Sequence, residues 1–533
     1  MKKQVIFVSS VLASLILALV GVSSGVFYRL AGEGRLLGLD EQPFWHAHEA
    51  AKFAAQPGMP DRLIAFHLGH AALFEFYKRD EQRTFCDPRL EVVSRDVMEE
   101  YHAIEQAIAE DRRGWQAMLA RNGLELVLVD HRGHHAIEAT LLTDPAWRCV
   151  HFDPVASVFL RAERAGTQFP AVDFARWHFE IARANGGLTP ANIERSDSGW
   201  RQPRLIGDVP DRGGLTEEFV AAEALYKIAR DLLERGSDAN LARTMALLCF
   251  DHTRAGATRF SAAKAGWQFM AFGLLLQLDE VPSEPASPAG VDRDEQFIVQ
   301  LELARVRYLL TLAWLADPKD FATLRTLFAV CELQDDRLGQ VFFARKLLHR
   351  GARIQHERQL LNIVRTRLES LQRDTTAADA DPRFTDPSAG LTQLVETSYS
   401  KLVVRDWQRV PVSEFAAAHA GLLLQLGEPG FAREVWEGRP AGEIDESLRQ
   451  ERIAATYWVE CDYDAAIEHY QNSRALESKR LGARWGLMRC YLETGDAAGV
   501  VREAEAALEN DGLSNATRRQ IEWMRDLARP FAE

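Results

Sequence analysis

Between Ser94 and Glu110 apolar side chains recur every three or four positions, at Val97, Tyr101, Ile104 and Ile108. That spacing stacks side chains on one face of an α-helix and predicts a helix with one buried side. Ser94 stands where an N-cap belongs, and Asp96 falls in the first turn, where a carboxylate complements the helix dipole. "LELVLVD", ending at Asp130, is apolar at nearly every position, as a strand covered on both faces of a parallel sheet would be. Around these lie "LIAF" and "TFCD" as short strands, "GWQAMLARNG" as a helix closed by Gly123, and "HHAIEATLLTD" as another helix. "WRCVHFD" and "SVFLRA" alternate like a closing hairpin. The predicted order β-α-β-α-α-β-α-β-β describes a small α/β layer domain.

Beyond residue 212 nearly every stretch carries a helical stripe, for example "EEFVAAEALYKIARDLLERG" and "RDEQFIVQLELARVRYLLTLAWLAD". Two segments interrupt it, "DEVPSEPASPAGVDRDE" and "RDTTAADADPRFTDPSAG", rich in proline, acids and small residues as exposed linkers are. Near the carboxyl end a period of 34 emerges. It relates Leu423, Tyr457 and Tyr491; Gly427, Cys461 and Gly495; Ala432, Ala466 and Val500; and Trp436, Tyr470 and Ala504. This is the period of the tetratricopeptide repeat, a helix-turn-helix unit, and the segment resembles that family. The small residues would let paired helices approach, the tyrosines and Leu423 would fill the seam, and Gly427 and Gly495 would allow the turn. The register does not extend upstream.

The fold expected is therefore multidomain: an amino-terminal transmembrane helix, a small α/β layer domain, and an all-α helical-repeat array. The divisions are residues 1–30 as anchor, 31–165 as α/β domain, 166–212 as irregular connection, 213–373 as helical array, 374–391 as linker and 392–533 as tetratricopeptide-like repeats. The anchor rests on the uncharged stretch from Val5 to Tyr28, flanked by Lys2, Lys3 and Arg29. A span needs about 20 apolar residues, and a cleaved signal carries a shorter run before a small-residue site. The lysines favour a cytoplasmic amino end, which would place the bulk of the chain outside the cytoplasm.

Composition narrows the partners. With 533 residues, 47% of them hydrophobic and 26% charged, the chain has the makeup of a folded protein of several domains. Acids outnumber bases, 77 to 63, for a formal charge of −14, which disfavours nucleic acid. Six scattered cysteines contain no C-x-x-C pair, so no zinc ribbon or thioredoxin motif is expected, and no disulfide is predicted.

"AFHLGHAALFEFY", "FCDPRLEV", "GWQAML", "LELVLVD" and "WRCVHFDPVASVFLR" fall in that order between residues 42 and 161. Their order resembles the extracytoplasmic carboxy-terminal region of polytopic glycosyltransferases of the dolichyl-phosphate-mannose type, which use lipid-linked sugars. The resemblance implies a part that positions acceptor or donor. The acidic loops that carry the sugar chemistry in that family have no counterpart here, and Asp-Pro-Arg replaces Asp-Gly-Arg. Asp87 and Arg89 are the only ligand-contact candidates, and a structural role at a strand end is the expectation for both. "HLGH" and "HRGHH" invite a zinc reading, but neither has the H-E-x-x-H spacing, so His131, His134 and His135 are read as ordinary polar histidines. No catalytic, cofactor-binding or metal-ligating residue is expected. The function anticipated is a membrane-anchored extracytoplasmic scaffold without catalytic activity, binding a protein or peptide on its repeat face. The alternatives are an accessory or detached part of a membrane glycosyltransferase and, third, a hydrolase or metal enzyme using Asp87 or the histidines.

Overall fold

A computed structural model describes residues 45–78, 84–86, 93–185, 217–257, 263–277, 293–351, 364–366, 412–439, 442 and 444–532, apart from positions 319, 443 and 511. The Val5–Tyr28 segment, Asp87, Arg89 and the linker around residues 374–391 lie outside them. Among the described residues no helix is long and apolar enough to cross a membrane.

The described residues are mostly helical and include one small mixed sheet. Its strands are β1 (Leu63–Ala65), β2 (Leu126–Asp130), β3 (Trp147–Phe152) and β4 (Ala156–Arg161), in spatial order β1-β2-β4-β3. β1 and β2 run parallel, with Leu63 opposite Leu126, while β2–β4 and β3–β4 are antiparallel. All five residues of β2 are buried, and the reason is coverage from both sides. Val127 and Val129 meet Tyr101, Ile104 and Ile108 of helix α3 (Arg95–Ala109). Leu126 and Leu128 meet helices α1 (His48–Ala54) and α2 (Leu68–Lys78) through Ala50, Ala54 and Phe74. Helix α3 begins as its sequence predicts, with the Ser94 hydroxyl accepting from the Val97 N–H, although Val97 itself is only half-buried. "TFCD" does not form a strand: Thr84 makes one isolated bridge to Leu63. Helices α4 (Trp115–Arg121) and α5 (His135–Thr143) complete the layer beside the short turn α6 (Ala162–Ala165).

The connection expected to be irregular contains a helix, α7 (Phe174–Ala184), capped by the Asp173 side chain on the Arg176 N–H. The helices that follow are α8 (Glu217–Arg235), α9 (Ala239–Ala257), α10 (Ala263–Gln277), α11 (Arg293–Ala316), α12 (Phe321–Leu333) and α13 (Arg337–Gly351). The carboxyl region supplies α14 (Val412–Gln425), α15 (Pro429–Glu437), α16 (Glu446–Val459), α17 (Tyr463–Leu476), α18 (Leu481–Thr494), α19 (Ala497–Leu508) and α20 (Asn515–Ala528). The two helical segments, separate in sequence, share one apolar core that runs from Phe179 and Leu247 through Trp314 and Trp458 to Ala528.

The 34-residue register is visible in the backbone. Gly427, Cys461 and Gly495 all take left-handed φ, at +80°, +60° and +78°. At each turn the next residue donates back across it: Glu428 to the Leu423 carbonyl, Asp462 to that of Tyr457 and Asp496 to that of Tyr491, at 2.8–2.9 Å. This is the Schellman closure of a helix, repeated three times. Asp462 and Asp496 then cap α17 and α19. Ala432, Ala466, Val500, Trp436, Tyr470 and Ala504 are all buried, as are Leu423 and Tyr491. Tyr457 departs from the pattern. It is half-buried, stacked on His469 at 5.4 Å with the Arg433 guanidinium 4.2 Å from its ring centre. Similar turns occur upstream at Gly236 and Asp335, but their spacing is not a multiple of 34.

Candidate functional site

Strands β1 and β2 end side by side, and their carboxyl edge gathers polar side chains. Ala65 closes β1, and His67 starts the first turn of α2, with its carbonyl accepting from the His70 and Ala71 N–H groups. Three residues apart on a helical turn, His67 and His70 point the same way. Parallel pairing sets Ala65 beside Leu128, so Asp130, two positions beyond it, reaches the same edge. One donor atom from each of His67, His70 and Asp130 lies within 4.8 Å of the others.

The two imidazoles are 4.4 Å apart centre to centre, and the His46 ring lies 6.4 Å from each. Gly69 makes this proximity possible, since a Cβ there would sit 3.0 Å from His67 Cε1 and 3.2 Å from His46 Cε1. His70 is fully buried, yet neither ring nitrogen has a hydrogen-bonding partner of ordinary geometry, and His67 Nδ1 is in the same condition. Burial pushes the His70 imidazole down to about 4 against the pull of Asp130, and it lowers His67 too. Asp130 is 3% exposed. Burial opposes its ionisation, but Arg132 holds it below the usual carboxylate range with its backbone N–H at 2.9 Å and its Nη2 at 2.9 Å. The Arg132 guanidinium in turn lies 4.4 Å from the Trp45 ring centre.

The neighbouring histidines that the sequence singles out have carboxylate partners instead. His131 Nδ1 lies 2.7 Å from Glu138 and its Nε2 2.7 Å from the Asp153 carbonyl, while Ser157 also bonds Glu138. The buried His131 is raised despite burial because Glu138 faces it. His134 meets Glu105 at 3.0 Å, and His135 faces Asp231 of α8 at 3.6 Å. These contacts fasten elements together. Asp87 and Arg89 lie outside the described residues. Phe85 and Cys86 just before them are buried, with the Phe85 N–H donating to Leu63. All six cysteines are buried, and none is joined to another in a disulfide.

A second concentration of charge sits where α11 meets the carboxyl repeats. Arg305 donates to both oxygens of Glu493 at 2.8 and 2.7 Å and to Tyr463 Oη at 2.7 Å, beneath the Trp458 ring. Its contact with Cys461 Sγ at 3.1 Å explains why a cysteine stands in the turn column otherwise filled by glycine. Arg489 pairs with Glu302 at 3.1 Å, and Arg254 donates to the Glu493 carbonyl at 2.9 Å. The cavity beside Arg489, lined by Gln277, Glu302 and Trp485, has the dimensions of a water site rather than a ligand pocket.

The chain matches no protein-family model and has no significant match among curated proteins. His67, His70 and Asp130 come together only in the fold. "HLGH" was the only local sign, and its third member lies 60 positions downstream.

Proposed function

We propose that the protein is a binding scaffold without catalytic activity, anchored by the Val5–Tyr28 segment with its bulk outside the cytoplasm. Its tetratricopeptide-like repeats would engage a protein or peptide. The observation that carries this reading is the threefold recurrence of one helix-turn-helix unit between α14 and α19, the architecture with which solenoids build extended binding surfaces. Helices α14, α16 and α18, the first of each pair, all pack on α11 of the same chain. A partner would then meet the second helices, α15, α17 and α19, a reading supported by Phe431 and Leu476, which are 55% and 60% exposed. A photoreactive side chain at position 431 or 476 of the full-length protein in cells should give a discrete crosslinked product, and one at Glu99 of the α/β domain should not. No product from either outer position would overturn the reading. Protease accessibility of epitopes at the two ends, in intact and permeabilised cells, tests the anchor and its orientation.

A second reading, an accessory part of a membrane glycosyltransferase, draws on the polar carboxyl edge of β1 and β2, the place where α/β domains take ligands. An upstream reading frame encoding many apolar spans would favour it, and an unrelated one would remove it.

A further inference from the structure

We propose that His67, His70 and Asp130 bind one zinc-type divalent ion, with a fourth coordination position open to water. The proposal stands on the α/β domain alone and does not depend on the repeats being a docking surface. Two imidazoles and one carboxylate are a common donor set for zinc and related transition ions. In a tetrahedral site with bonds near 2.1 Å the donors lie about 3.4 Å apart, so the present arrangement closes by shifts of roughly 1.4 Å or less. Side-chain torsions supply that much, and the half-buried His67 has room to move.

Three features set this group apart from a chance cluster of polar residues. First, His70 is fully buried and neither nitrogen has a hydrogen bond of ordinary geometry, the Trp45 carbonyl acting on the ring only weakly; this costs stability, since buried polar atoms are ordinarily satisfied. An ion would satisfy one of its two nitrogens. Second, Gly69 leaves the space that the His67 and His46 rings fill, so a larger residue would push the donors apart. Third, Asp130 is oriented by a hydrogen-bonded partner, Arg132, much as outer-shell groups orient ligating carboxylates. The Arg132 charge also offsets that of Asp130. Donor strength thus resides in the imidazole nitrogens, which favours zinc, cobalt or iron over magnesium or calcium.

The test uses full-length protein without a histidine tag, in detergent, stripped with a chelator and titrated with Zn2+ against a chromophoric competitor. One Zn2+ per chain is expected, undisturbed by excess Mg2+. His67→Gln should weaken binding by more than the roughly 10–100-fold that losing an outer-shell partner costs, with an unchanged melting temperature in the absence of metal. His469→Gln, on α17, should bind as wild type. Co2+ bound to the wild-type protein should show the intense visible bands of a four- or five-coordinate nitrogen-containing site. Absence of stoichiometric Zn2+ binding, a weak six-coordinate Co2+ spectrum, or full binding by His67→Gln would each overturn the proposal. If His67→Gln fails to fold, the stoichiometry and the Co2+ spectrum of the wild type decide.

Discussion

Replacing Arg305 with methionine removes a cation that is fully buried and holds α11 to two carboxyl repeats. Methionine keeps most of the packing beneath Trp458 and deletes the charge. Glu493, also fully buried, is then left with Arg489 at 3.5 Å as its nearest cation. Removing one partner of a buried ion pair costs about 3–5 kcal/mol, because the survivor stays desolvated and uncompensated. The acid titration of the same carboxyl gives a second measure. Burial opposes its ionisation, but Arg305 and Arg489 hold Glu493 at about 2, against an ordinary value of 4.5. One pH unit corresponds to about 1.4 kcal/mol, so the pair contributes on the order of 3 kcal/mol. With the folded pKa depressed, that contribution is whole above pH 4.5 and lost as pH falls to about 2. Urea unfolding at pH 7, followed by tryptophan fluorescence, should show Arg305→Met destabilised by about 3–5 kcal/mol. The double variant Arg305→Met/Glu493→Met should recover at least about half of that, since it buries no lone charge. A cost below about 1 kcal/mol for Arg305→Met, or single penalties that simply add in the double variant, would refute the reasoning.

The other expectations are independent of that pair. Gly486→Ala in α18 would drive a Cβ into the ring of the fully buried Tyr470, and overpacking of this kind costs about 1–3 kcal/mol or more; an unchanged thermal midpoint would contradict the packing described. Ala466→Trp should be worse still, because Ala466 is completely enclosed, whereas the half-buried Tyr457→Ala should cost less than the 3–5 kcal/mol of a fully buried ring, about 1–2 kcal/mol. A Tyr457→Ala loss equal to that of a core aromatic would mean its stacking between Arg433 and His469 is misjudged. Burial holds His252 down to about 4, beside the Trp177 ring. Its contribution is therefore present above pH 6.5 and lost as pH falls toward 4, by about 3 kcal/mol. His252→Phe should flatten that part of the stability profile, and parallel profiles for variant and wild type would exclude the assignment.

Local order in this protein was legible from its residues wherever the signal was periodic and near in sequence. The Tyr101–Ile104–Ile108 face, the doubly covered β2, the β3–β4 hairpin and the 34-residue column of turns needed only side-chain spacing and a left-handed position. Such patterns are set by backbone geometry that operates over a few residues or one repeat. What tertiary structure alone decided is how distant pieces meet. The isolated bridge at Thr84 in place of a strand depended on whether a neighbour completed its ladder. The helix at Phe174–Ala184, in a stretch rich in glycine and polar residues, is steadied by packing on α9 and α18. Nothing in the spacing of Arg305 revealed that Glu493, 188 positions later, would be its counterion. The meeting of His67 and His70 with Asp130 likewise follows from parallel pairing of two strands, and a sequence read one residue after another contains no term for which strands lie side by side.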